Sequence, residues 1–248
     1  MKLRFLSIAL FVILLPLLGF GCTKRWDVLT PEEKRILYRI RTHWETWIPE
    51  KKREGTAPLI TFEELYRGLG PDERAFLDRI RSIKPAKDSG REGIRFKRIK
   101  NHKITKEGKV RKLDPQYLPE KVFEAYGKMM KAMKKDLGKR LLVESGYRSP
   151  AYQLYTFLFY LPKHHYSIVE TRQWVALPGH SEHGIPERQA LDFINEEGIN
   201  GENDAGEFER LPEYEWLLRR AGEFGFELSY PRGKKGSAFE PWHWRYVK

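Results

Sequence analysis

Near the end of the chain, "EPWHWRYV" sets Glu240 and His243 three residues apart among aromatic side chains. Upstream, "PGHSEHGIPERQALDF" carries His180, Ser181 and His183 in a turn-rich stretch, followed by Asp192 between Leu191 and Phe193 in an apolar strand. A carboxylate among core residues is costly unless it is paired or holds a cation. Two histidines and one aspartate can hold zinc with a fourth position open to water, and a neighbouring glutamate such as Glu240 could then act as general base. The residue types leave another arrangement open, with Asp192 salt-bridged to an arginine and His243 sandwiched by tryptophans. In a strand, His243 and Arg245 share one face, opposite Trp242, Trp244 and Tyr246. Glu240 has the wrong parity for that face, so the chain must turn or bulge at Pro241 for both groups to reach one spot. His43 and His102 sit among charges and read as ordinary surface residues, and His164 and His165 fall in a loop after a helix.

The elements that must position these groups follow from pattern. Thr30-Pro31-Glu32-Glu33 is a helix start with a cap, a first-turn proline and acids near the N-terminus. Ile36, Leu37, Ile40, Trp44 and Trp47 continue it at helical spacing. Thr61 and Glu64 form a capping box, and Pro71 opens a helix with Phe76, Leu77, Ile80 and Ile83 on one face. Lys84 to Gly93 reads as a linker. The basic stretch that follows, with Gly108 near a turn, predicts a hairpin. A helix from Pro119 shows Val122, Tyr126, Met129, Met130 and Met133 along one face and stops at Gly138. The methionines there are core residues rather than ligands. Arg140–Ser145 and Ala190–Ile194 predict buried strands. Ser149 and Pro150 start a helix, "PEYEWLLRRAGEFG" is another, and "FELSY" and "PWHWRYV" are the last strands. Helices and strands mix without a regular βαβ rhythm. The fold class expected is α+β, a mainly antiparallel sheet flanked by helices, with an N-terminal helical arm. The expected organisation is residues 1–21 as a signal, 22–93 as tether and helical region, and 94–248 as the catalytic domain.

Lys2 and Arg4 precede a charge-free apolar run from Phe5 to Phe20, which reads as a secretory signal. It ends in "LLGFGC", which resembles the lipobox of bacterial lipoproteins, although Phe20 is unusual there. The expectation is lipidation of Cys22 and a place in the bacterial cell envelope, anchored to a membrane. Cys22 is the only cysteine, so an internal disulfide and a cysteine-based zinc site are excluded. Any metal must be held by His, Asp and Glu. The net charge of +12 calls for anionic partners. In an exported protein these are envelope components, and nucleic acid is not expected.

Three segments together resemble the D-alanyl-D-alanine carboxypeptidases of the VanY type, within the LAS group of zinc peptidases, over about residues 112–248. "SGYRSPAYQ" is similar to that family's SGYRS-x-x-x-Q segment, "PGHSEH…ALDF" to its SxHxxGxAxD block, and "EPWHWRYV" to its ExxHxRY block. The resemblance implies a LAS/hedgehog-like fold and Zn²⁺ held by His183, Asp192 and His243. It implies Glu240 as the proton carrier and Arg148 as the group that holds the substrate carbonyl or oxyanion. Gln153 and Ser181 would help bind substrate, with Tyr147 and Trp242 as walls. The implied activity is hydrolysis of the terminal D-alanine of peptidoglycan stem peptides. An endopeptidase or L,D-carboxypeptidase of the same fold, and a non-catalytic wall-binding lipoprotein, are the alternatives. One departure stands out. His183 to Asp192 spans nine residues, two more than the family spacing, and Arg188 stands about where the family has glycine. The expectation is a bulged loop that still returns Asp192 to the metal.

Overall fold

The structure is a computed structural model that describes residues 27–84, 93–100, 102–202, 205–234 and 238–248. The apolar start, Cys22 and most of the linker after Lys84 lie outside the described residues. Among the described residues, no helix is long and apolar enough to cross a membrane.

Four helices come first: α1 (Pro31–Glu45), α2 (Ile48–Glu54), α3 (Phe62–Tyr66) and α4 (Pro71–Ser82). Capping fixes their starts. The Thr30 hydroxyl accepts from the Glu33 amide while the Glu33 carboxylate accepts from the Thr30 amide, and Thr61 and Glu64 repeat the exchange. Four short strands follow. β1 (Phe96–Ile99), β2 (Lys103–Lys106), β3 (Lys109–Lys112) and β4 (Gln116–Pro119) form two antiparallel pairs, β2 with β3 and β1 with β4. The expected basic hairpin is β2–β3, turned through Glu107 and Gly108, both at positive φ.

The remaining elements are α5 (Glu120–Leu137), β5 (Leu141–Ser145), α6 (Pro150–Tyr160), α7 (Ile168–Thr171), β6 (Ala190–Asn195), α8 (Ala205–Glu209), α9 (Pro212–Arg220), β7 (Phe226–Leu228) and β8 (His243–Tyr246). The main sheet has the order β5-β6-β8-β7 and is antiparallel throughout. The chain is therefore α+β, as its patterning predicts.

Strand parity decides what each face of the sheet carries. Val143, Leu191, Phe193, Trp244 and Tyr246 join the core beneath α5 and α9, where the methionines of α5 are buried with them. The alternate residues Asp192, His243 and Arg245 belong to the opposite face. Asp192 sits across from His243 on β8. It also sits across from Ser145 on β5, where an irregularity after Val143 shifts the register.

A second apolar core joins α1–α4 to α6 and the segment running through Leu177. Trp44 is its centrepiece. It is 1% exposed, its indole N–H donates to the Leu65 carbonyl at 2.9 Å, and its ring centre lies 5.8 Å from that of Tyr155 on α6. Ser149, the cap of α6, donates its amide to Pro58 O at 2.9 Å and its hydroxyl to Ile60 O at 2.7 Å. The N-terminal helices are thus packed onto the segment that follows Arg148.

Candidate active site

His183 lies in a single 3-10 turn, Glu182–Gly184, capped by the Ser181 hydroxyl. Its Nδ1–H donates to the Gly146 carbonyl at 2.7 Å. That bond leaves Nε2 as a bare lone pair, and Nε2 faces Asp192 Oδ2 at 3.1 Å. Burial opposes charging this ring and pushes its pKa down to about 4. Two acceptors therefore meet with no proton between them, inside the protein, where such a contact is unfavourable. A cation between them removes the conflict.

Asp192 completes the arrangement. Its Oδ1 is 2.8 Å from His243 Nδ1 and its Oδ2 is 3.4 Å from the Arg148 guanidinium. Burial pushes its carboxyl up, but the charged His243 imidazole outweighs burial and holds it well below the usual range, so it is ionised. Donor atoms of His183, Asp192 and His243 all lie within 4.8 Å of one another. A neutral imidazole, a carboxylate and a second imidazole suit a three-ligand divalent site, so the residues present fit a metal ion. The loop from His183 absorbs its extra length in a second 3-10 turn, Pro186–Arg188, and returns Asp192 to the cluster.

His243 is oriented by a residue that the sequence reading passed over. Its Nε2 lies 3.2 Å from Glu182 Oε2, which leaves Nδ1 to face the centre. Glu182 in turn accepts from Arg245 at 2.7 Å, and Arg245 also donates to Glu227 at 2.6 Å. A carboxylate behind a ligand imidazole fixes its tautomer and raises its basicity. Burial acts to lower the pKa of His243, but Asp192 and Glu182 overcome it and raise the value to about 9.

The parity problem at Glu240 is solved by a turn. The His243 amide donates to the Glu240 carbonyl at 3.1 Å, so Pro241 and Trp242 occupy the corner before β8 begins. The Glu240 carboxylate consequently reaches within 3.7 Å of His243 Nδ1. Burial pushes its pKa up to about 7, which suits a group that accepts and returns a proton near neutrality.

These groups open into a cleft of about 870 Å³. Arg148, Gln153, Ser181 and Trp242 line it. Arg148 lies 3.4 Å from the Gln153 side-chain oxygen, and Gln153 donates to the Ala176 carbonyl at 2.8 Å. Trp242 packs against Gly201, where a Cβ would meet the indole at 1.9 Å, so any side chain there would force the indole to move. Tyr147 is a correction. It is fully buried, 4.4 Å from the Phe96 ring, and does not line the cleft. Successive side chains alternate along this extended segment, so turning Arg148 to the cleft turns Tyr147 to the core. Among the other histidines, His43 contacts the Arg67 carbonyl and His180 the Lys84 carbonyl. His164 lines the helical wall of the cleft, stacked between Tyr160 and Trp174.

Comparison with known proteins follows the same outline. The family described as VanY, D-alanyl-D-alanine carboxypeptidase, matches residues 115–248. The bifunctional D-Ala-D-Ala dipeptidase and D-Ala-D-Ala carboxypeptidase VanXYC of Enterococcus gallinarum is 29% identical over 53% of this chain and 67% of its own length. A D-alanyl-D-alanine carboxypeptidase of Enterococcus faecalis is 40% identical over 32% of this chain, a stretch that spans only 26% of that relative. Among solved structures, the D,D-pentapeptidase VanY from the VanB-type resistance cassette, in complex with Zn(II), is 26% identical. It matches 54% of this chain and 74% of its own with a TM-score of 0.43.

Proposed function

Since the chain belongs to the VanY family of D-alanyl-D-alanine carboxypeptidases, we propose that it is a membrane-tethered zinc peptidase that removes the terminal D-alanine of peptidoglycan stem peptides. The observation that carries this reading is the contact between the unprotonated His183 Nε2 and Asp192, with Glu240 beside His243. His183, Asp192 and His243 would hold Zn²⁺, which supplies Lewis acidity for activating water and the scissile carbonyl.

The chain's own residues do the rest. A Glu240 carboxylate oxygen takes the proton of the attacking water and delivers it to the leaving amine nitrogen, a task that its pKa of about 7 favours. The Arg148 guanidinium, on the rim of the cluster, offsets negative charge developing on the carbonyl oxygen. The neighbouring Asp192 and Gln153 oxygens hold it in place. Glu182 keeps the His243 ring from rotating. Ser181, Gln153 and Trp242 shape the peptide's seat.

Digestion of purified muropeptides, followed by mass analysis, tests the activity. Stem pentapeptides should lose one alanine, chelator should stop the loss, and Zn²⁺ should restore it. Shortened cross-links would reassign the enzyme as an endopeptidase, and loss of alanine from tetrapeptides only would make it an L,D-carboxypeptidase. Intact muropeptides after incubation with zinc-loaded protein would leave a wall-binding role and refute catalysis. The tether is tested separately: Cys22→Ala should move the protein from the membrane fraction to the soluble fraction. An unchanged distribution refutes lipid anchoring.

A further inference from the structure

The cleft is lined by one residue from well outside residues 115–248. Lys52, on α2, lies in its wall with Arg148, Tyr152 and Tyr155. A side pocket of about 200 Å³ shares Lys52, Ser145, Arg148 and Tyr152 with the main cleft. The preceding residue shows what a satisfied lysine looks like here, since Lys51 pairs with Glu64 at 3.0 Å. Lys52 donates to the Tyr155 hydroxyl at 3.3 Å and lies 5.2 Å from that ring's centre. Among the described residues, Asp114, which lines the side pocket, acts on Lys52 only through space, and no carboxylate is close enough to form an ion pair with it. An ammonium has three donors, so Lys52 keeps donors to spare at the edge of the cleft.

The position is held rather than accidental. Arg98 donates to the Glu54 carbonyl at the end of α2. The loop after α2 is bolted through Pro58 O and Ile60 O to Ser149, the residue next to Arg148. Of the other carboxylates nearby, Glu202 accepts from the Tyr160 hydroxyl and Glu144 from the Asn200 side chain. Asp192, Glu182 and Glu240 gather around the ion-binding side chains, and Arg148 is drawn to Asp192. A half-buried ammonium with no carboxylate in ion-pair contact, in the wall of the cleft, matches a carboxylate that arrives with the substrate.

We propose that Lys52 is a substrate-binding residue, its ammonium pairing with a carboxylate of the peptide seated in the cleft. The inference rests on the reading of this cleft as a D-alanyl peptide site. Such a peptide offers two sources of the same chemistry, the C-terminal carboxylate of the last D-alanine and a free carboxylate on an upstream residue.

The test compares wild type, Lys52→Met and Lys52→Arg on three synthetic peptides ending in D-Ala-D-Ala. One has all its carboxylates free, one has the upstream carboxylates amidated, and one has a C-terminal amide. Hydrolysis and calorimetric binding are both measured, on proteins whose thermal melts coincide. Lys52→Met should raise KM for the free peptide roughly tenfold, the scale of a hydrogen bond to a charged group, with kcat within about twofold. Lys52→Arg should restore most of the loss. The defect should vanish on the one peptide lacking the paired carboxylate, and that peptide identifies its source. An active wild type with an unchanged Lys52→Met, or an equal defect on all three peptides, overturns the role of Lys52 alone. If wild type binds peptide without cutting it, the same comparison of affinities decides the role of Lys52 while catalysis is refuted. If wild type neither binds nor cuts, both readings fall.

Discussion

The two walls of the cleft are built on different principles. On the sheet wall, Asp192 and His243 are fixed by backbone pairing between β6 and β8, and their direction follows from strand parity. On the helical wall, Tyr152, Tyr155, Phe159 and Tyr160 project from α6, which shares an apolar core with the N-terminal helices. The sheet wall brings donor atoms of Asp192 and His243 together with His183 within 4.8 Å of one another. The helical wall supplies area, aromatic faces and a lysine brought from a distant stretch of chain. The contrast teaches that a strand ladder can fix the core of an ion site, here Asp192 and His243, while short turns bring His183 and Glu240 to it. The surface that meets the body of a substrate can be assembled from segments far apart in sequence.

If that division is real, the two walls should fail separately. The largest effect is expected at Glu240→Gln. Turnover should fall by about 10²–10⁴, while zinc content by metal analysis and the thermal melt stay at wild-type values. Normal turnover in this variant would end the proton-carrier role. On the other wall, Trp44→Ala should cost about 3–5 kcal/mol in denaturant unfolding, with the folded protein still binding one zinc. Loss of zinc from folded Trp44→Ala would show that the walls are one unit. Glu182→Gln, which removes the charge behind His243, should weaken zinc binding by about 10–100-fold and leave peptide affinity alone.

The smallest effect is a pH slope. In the ion-free protein His243 carries a proton up to about pH 9, because Asp192 and Glu182 outweigh burial, whereas His183 is neutral above about pH 4. Zinc must therefore expel one proton from His243 near neutrality and none from His183. Its affinity should rise about tenfold per pH unit between pH 6 and 8 and level off above about 9. Chelator competition, corrected for protonation of the chelator, measures this, and a flat profile would contradict the assigned charge states.

How much of this was legible in the sequence varies with the range of the interaction. The helix cap at Thr30, the capping box at Thr61, the buried methionines of α5 and the shared face of His243 and Arg245 are local patterns, and all are present in the structure. The parity conflict at Glu240 even pointed to the turn at Pro241 that resolves it. Glu182 was harder to see, because a glutamate in an acidic and basic chain carries no signal of its own. The available hint was Arg245, a cation on the His243 face that needed a carboxylate partner. Tyr147 misled because its neighbour Arg148 belongs to the cleft, while alternation sends the two side chains opposite ways. The contribution of α2 to the cleft was invisible, since the contact between Lys52 and Tyr155 spans more than a hundred positions.

The described chain begins firmly moored. Asp27 accepts from the Ser167 hydroxyl at 2.8 Å, and its carbonyl accepts from the Ile168 amide at 2.6 Å, beside the segment that forms the helical wall. On the tether proposed at Cys22, only five residue steps separate the acyl chains from this mooring, a leash no longer than about 18 Å. With so short a leash, a protein tethered in this way would hold its cleft close to the bilayer surface.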